Sequence, residues 1–211
     1  MQITLATWLT LGRMAAVPVF AALAFSTDDW ARWAGLVVFV AAAGSDYFDG
    51  MLARVRGEVS DLGRCLDPIA DKLLVVGISV TLVAQDHVVG VHVLAVILIL
   101  CREIAIAGLR EFLGGIQVSI PVSRLAKWKT GVQLTALGSL ILGPAGPELL
   151  YLPVVGVALL WIAAALTVWT GWEYLRSSLH VLLPETRART EEQRRNVRPP
   201  IGGNRPASAN S

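Results

Sequence analysis

The sequence predicts an all-α integral membrane protein, a bundle of six transmembrane helices with a polar cavity open to the cytoplasmic side. Three observations carry that reading. Hydrophobic residues make up 55% of the 211 and charged residues only 16%, whereas soluble domains are roughly 45–50% apolar and about a quarter charged. Mean hydropathy is +0.60. Apolar runs of about 20 residues, enough to cross a bilayer core as a helix, recur along the chain, and the basic residues fall in alternate connections between them.

Taken in order, the spans are expected at about 7–27, 31–53, 67–85, 90–113, 122–142 and 148–176. The first run stops at Ser26-Thr27-Asp28-Asp29. Met1–Leu5 lacks the basic segment and cleavage site of a signal peptide, so this run is expected to be retained. The second runs from Ala31 into Asp46-Tyr47-Phe48-Asp49-Gly50, and a polar connection with Arg54, Arg56, Glu58, Asp61 and Arg64 follows. The third stops at Gln85-Asp86-His87, the fourth at Gly114-Gly115, and the fifth before Gly143-Pro144. From Pro184 to Ser211 the chain is rich in Arg, Glu, Pro, Gly, Asn and Ser, a composition that buries too little apolar surface to offset ordering entropy. Residues 1–183 are therefore expected to form one membrane domain and 184–211 a disordered basic tail.

A net charge of +2 says little, but its placement orients the chain. Arg54, Arg56, Arg64, Arg124, Lys127, Lys129, Arg176 and the tail arginines lie in connections 2–3 and 4–5 and after the last span; Arg32 is the exception on the other side. By the positive-inside rule both termini face the cytoplasm. Cys65 and Cys101 have no metal-binding spacing and suggest no disulfide framework.

Asp46 and Asp49 are three apart and Asp67 and Asp71 four apart, so each pair shares a helix face. The pairs sit at the cytoplasmic ends of the second and third spans, which a short connection makes antiparallel neighbours, so four carboxylates can converge. Like charges at that density need cations among them. All-oxygen donors suit Mg²⁺, Mn²⁺ or Ca²⁺, and two divalent ions would neutralise four carboxylates and clamp a pyrophosphate. Gly50, Ala53 and Gly63 leave room for a bulky ligand, and Pro68 is expected in a first helical turn. The plainer alternative, a water-solvated helix end capped by Asp67, explains one such aspartate better than four.

The run Asp-x2-Asp-Gly-x2-Ala-Arg-x8-Gly-x3-Asp-x3-Asp, at Asp46, Asp49, Gly50, Ala53, Arg54, Gly63, Asp67 and Asp71, resembles the signature of the CDP-alcohol phosphotransferases at all eight fixed positions. The resemblance implies that Asp46, Asp49 and Asp67 are ligands of two divalent ions, Mg²⁺ or Mn²⁺. Asp71 would be ligand, catalytic base or both. Gly50, Ala53, Arg54 and Gly63 would line the CDP-lipid site. It also implies six membrane helices, a cytoplasmic active site in the inner membrane, and the possibility of a homodimer through apolar outer faces.

Charges inside the other spans point into the bundle and pair or function there. Arg13 follows Thr7-Trp8-Leu9-Thr10-Leu11-Gly12, Arg102-Glu103 and Arg110-Glu111 lie on the fourth span, and Lys127 and Lys129 precede Gln133 on the fifth. Arg102 and Arg110, eight apart, lie on roughly one face. Either Arg102–Glu103 and Arg110–Glu111 form ion-pair scaffolds and the lysines snorkel to the interface, or Arg102, Arg110, Lys127 and Lys129 bind an acceptor's phosphate. These motifs, with Leu9–Arg13, are similar to the branch of the family that makes phosphatidylglycerophosphate. That likeness implies CDP-diacylglycerol and glycerol 3-phosphate as substrates, phosphatidylglycerophosphate and CMP as products, and no nucleic-acid partner. Cardiolipin or phosphatidylinositol phosphate synthesis are the alternatives within the family. A cation transporter and a non-catalytic scaffold are the alternatives outside it; a transporter would carry polar groups across the whole bilayer rather than at one side.

Overall fold

A computed structural model describes residues 5–26, 28–56, 61–118 and 124–182. The described chain is helical: α1 (Leu5–Ala24), α2 (Asp29–Arg56), α3 (Asp61–Ala84), α4 (Val93–Gly115), α5 (Arg124–Leu142) and α6 (Leu152–Leu182), with short 3-10 turns at Gly90–His92, Gly143–Ala145 and Glu148–Leu150. The tail from 184 on lies outside the described residues. Each long helix overlaps one expected run, and the largest shifts, six residues each, are at the end of α6, which continues to Leu182, and at the start of α3, which begins at Asp61. Pro68 is therefore inside α3, not in its first turn, and Asp67 caps nothing. The proline removes one intrahelical bond at the polar end of the helix, where water can supply a partner.

The helix ends follow hydrogen bonding more than glycine. α3 closes with His87 N–H donating to Leu82 O (3.0 Å) and Asp86 N–H to Val83 O (3.2 Å), Asp86 holding φ 56°. α4 closes the same way, Val118 to Leu113 (2.9 Å) and Gln117 to Gly114 (3.0 Å), with Gln117 at φ 58°. Both are left-handed caps of the Schellman type, in which glycine is usual; here Asp86 and Gln117 take that position, and Gly114-Gly115 stays within the final turn.

Polarity is distributed inside out. All seven tryptophans are exposed, from Trp161 at 36% to Trp128 at 72%, while Thr7, Thr10, Arg13, Lys129, Gln133, Thr167, Thr170 and Ser178 are buried. Water would make that costly, whereas a lipid surrounding would make it favourable, since exposed rings suit a bilayer and most of the buried polar groups have partners inside. Thr7–Ala24, Gly90–Gly115 and Leu152–His180 are each long and apolar enough to cross a membrane. In α2, α3 and α5 the charges at the site end shorten the apolar portion.

The core gathers Phe20, Phe39, Ile78, Leu82, Leu137, Leu140 and Leu160 from five of the helices. Among the described residues α1 lies between α2 and α3 and touches both far more than they touch each other, so the expected direct pairing of α2 with α3 is mediated by α1. On the other side α6 packs along α5 and α4. Gly77 of α3 lets α1 approach: a Cβ there would collide with Val17 Cγ1. At the opposite end Arg32 Nη1 donates to His87 Nε2 at 2.9 Å, which accounts for the one basic residue on that side. Burial and this guanidinium push the His87 pKa below the usual imidazole value, against a smaller opposing pull from Asp86. His87 is thus half-buried and bonded rather than a plain surface residue.

Candidate active site

Thr7, Thr10 and Arg13 are spaced by three along α1, so they form a polar stripe on one side of an otherwise apolar helix. Asp67 and Asp71 form the facing stripe on α3. Thr10 Oγ1 donates to Asp67 Oδ1 at 2.5 Å, and Arg13 Nη1 donates to Asp71 Oδ1. Arg13 also donates through Nε and Nη2 to Ser45 Oγ, both at 3.3 Å, and that hydroxyl in turn donates to Ala42 O at 2.9 Å. Ser45 immediately precedes Asp46 on α2. One guanidinium therefore ties α1 to both acid-bearing helices. Arg13 is 2% exposed, while the Asp71 side chain is 49% exposed. A buried arginine in a membrane bundle is costly unless paired and hydrogen-bonded, and here it is both.

The backbones of Asp46, Asp49, Gly50, Ala53 and Arg54 lie on α2 and that of Gly63 on α3; their side chains fall outside the described residues. Among the described residues no three His, Cys, Asp or Glu groups gather into a metal site. The donors that are described, two carboxylates and the Thr10 hydroxyl, are all oxygen. They fit a hard divalent cation; His87 and His92 lie at the far end of the bundle, and His180 is exposed near the end of α6.

A second polar cluster joins α4, α5 and α6. Glu103 is contacted by Lys129 Nζ through Oε1 and by Arg102 Nη1 through Oε2 at 3.6 Å. Arg102 Nη2 donates to Thr170 Oγ1 at 3.0 Å, and its buried Nε has no partner among the described residues. Arg110 lies over the Tyr174 ring at 5.6 Å. Arg102 and Arg110 therefore both reach α6, as their spacing predicts. Lys129 is 4% exposed and contacts Glu103, so its side chain turns into the bundle instead of snorkelling to the interface. Lys127 lies on α5 with its side chain outside the described residues. Two cations on one carboxylate leave the cluster with surplus positive charge, and Arg110 adds to it.

Sequence pattern alone gave Thr10, Ser45, Thr170 and Tyr174 no role. The three-residue spacing from Thr7 to Arg13 was a usable signal for Thr10. Nothing in the sequence pairs Thr170 with a residue 68 positions away.

The sequence model of the family described as CDP-alcohol phosphatidyltransferase matches residues 3–169. The chain is 45% identical over 170 residues to a protein of Rickettsia typhi, covering 81% of this chain and 94% of that one. It is 38% identical to one of Cereibacter sphaeroides (84% and 96% covered) and 35% identical to one of Shigella flexneri (88% and 100%). All three relatives bear the name CDP-diacylglycerol–glycerol-3-phosphate 3-phosphatidyltransferase. A match over most of its length, with the acid pairs of the signature on helices that α1 joins, makes this chain a member of the CDP-alcohol phosphatidyltransferase family.

Proposed function

We propose that the protein transfers the phosphatidyl group of CDP-diacylglycerol to glycerol 3-phosphate, giving phosphatidylglycerophosphate and CMP. The observation that carries the reading is Asp71, half-exposed and oriented by a buried arginine, in a molecule that also holds a cation-rich cluster on α4–α6. The names of the relatives favour glycerol 3-phosphate as acceptor.

Asp46, Asp49, Asp67 and Asp71 are the proposed oxygen donors for two divalent ions, Mg²⁺ or Mn²⁺, which when bound supply neutralisation of the pyrophosphate charge. Asp71 takes the proton of the acceptor hydroxyl. The acceptor oxygen forms a bond to the lipid-side phosphorus, and the bond from that phosphorus to CMP breaks with the electron pair leaving on CMP. Arg13 fixes the Asp71 carboxylate while half of that side chain stays open to the incoming hydroxyl. Thr10 orients Asp67 in the same way. Gly50, Ala53, Arg54 and Gly63 line the nucleotide-lipid side, and Arg102, Arg110 and Lys127 attract the acceptor phosphate, with Lys129 acting through Glu103.

In this reading all six helices span the inner membrane, the site and both termini face the cytoplasm, residues 1–183 suffice for catalysis, and the apolar outer faces permit a homodimer. The basic residues at the site end and the tryptophan-rich exterior support it. The test is CMP release by purified protein with glycerol 3-phosphate, phosphatidylglycerol and inositol phosphate as acceptors, with and without EDTA, and with Asp71→Asn. Glycerol 3-phosphate alone is expected to support turnover, EDTA to stop it, and Asp71→Asn to abolish it in a protein that still inserts. Consumption of inositol phosphate in its place, or a fully active Asp71→Asn, overturns the proposal.

A further inference from the structure

The side chain of Arg102 is set from α6. Thr170 Oγ1 donates to Leu166 O at 2.8 Å, which fixes the hydroxyl and turns its acceptor side toward Arg102 Nη2, 3.0 Å away. The next residue, Gly171, leaves space for the arginine stem: a Cβ there would lie 2.9 Å from Arg102 Cγ and 3.0 Å from Nε. Glu103 takes Nη1 at 3.6 Å. The guanidinium is thus held at two of its nitrogens, and the third, Nε, is a buried donor with no partner among the described residues. Thr167, one turn before Gly171 on the same face of α6, also has a buried hydroxyl without a partner among the described residues. Thr170 and Gly171 lie just past the stretch matched by the family model, which ends at 169.

We infer that Thr170 and Gly171 are positioning residues that hold the Arg102 guanidinium for the phosphate of the acceptor, and so set the affinity for a phosphorylated alcohol without touching the reacting atoms. The inference rests on the reading of Arg102 as an acceptor-binding group. A threonine that accepts a hydrogen bond from a charged group restricts the rotamers of that group. A glycine beside the stem keeps the observed rotamer accessible. Were Arg102 only an ion-pair scaffold, Glu103 would satisfy it and the α6 contact would affect stability alone.

Steady-state kinetics on the full chain separates these cases, with glycerol 3-phosphate and CDP-diacylglycerol varied in turn. Thr170→Val, which keeps the shape and loses the acceptor, is expected to raise KM for glycerol 3-phosphate about tenfold, with kcat and KM for CDP-diacylglycerol little changed. Thr170→Ser is expected to restore the wild-type KM. Gly171→Ala displaces the same stem without removing the hydrogen-bond acceptor and is expected to give the same selective rise. Arg102→Gln is the control for the underlying reading and should raise that KM at least as far. If Arg102→Gln raises it but Thr170→Val and Gly171→Ala do not, the positioning inference falls and the acceptor reading stands. If Arg102→Gln leaves it unchanged, both fall. An equal loss in kcat and in both KM values, with a lowered thermal midpoint, marks a structural role and overturns the inference.

Discussion

Arg13 is the residue on which the acid-bearing end of the bundle turns. Its fork reaches Ser45 on α2 and Asp71 on α3 from a position almost without exposure. A guanidinium can do this because its donors are coplanar and fixed relative to one another; an ammonium cannot address two partners with the same geometry. Arg13→Gln is therefore expected to lower the rate of CMP release by about 10²-fold, the order seen when one preorganised electrostatic contact is removed from an active site. Arg13→Lys should recover only part of that loss. Release by Arg13→Gln within threefold of wild type would show that the Asp71 carboxylate needs no such partner. Thr10 acts on Asp67 through a shorter and neutral donor, so its removal is expected to weigh less than that of Arg13.

At the scale of helices, the position of Asp67 and Asp71 depends on how closely α1 can lie on α3. Gly77, a little under two turns beyond Asp71, is where the two backbones come near, and Val17 fills the space a side chain would take. Gly77→Ala is expected to destabilise the bundle by about 1–3 kcal/mol through overpacking. Because the clash is with a single methyl-bearing side chain, combining it with Val17→Ala should return part of the loss. Thermal midpoints of the detergent-solubilised single and double variants measure both effects; additive losses in the pair would show that the two residues do not share the contact. The same dependence on small residues recurs between α5 and α6, where a Cβ on Gly156 would come within 2.8 Å of Leu140 Cγ. Farther along the same two helices, Lys129 contacts Glu103 and Thr170 accepts from Arg102.

The molecule as a whole is two polar seams set in an apolar exterior: α1 with α2 and α3 around the aspartates, and α4 with α5 and α6 around Arg102 and Glu103. The proposed catalytic unit ends at residue 183, so deletion of 184–211 is expected to leave kcat/KM for both substrates within about twofold. Basic groups near an anionic surface contribute only about 1 kcal/mol each to membrane attachment, a minor addition to several inserted helices. A tenfold loss on deletion, measured by CMP release at equal amounts of inserted protein, would assign the tail a part in the reaction. By itself, the sequence determined the all-helical class, the order of the long helices among the described residues, and the placement of Asp67 and Asp71 on one face. It also determined the shared face of Arg102 and Arg110 and the resemblance to the family. All of these are short-range patterns, because hydrophobic run length and a periodicity of 3.6 residues are written in consecutive positions. Only the tertiary structure decided that α1 stands between the acid-bearing helices, that Lys129 serves Glu103, and that Thr170 holds Arg102. Each of those facts joins residues from different helices. Helix neighbours in a bilayer are chosen by where small side chains permit contact and where buried polar groups find partners, and a linear pattern records neither.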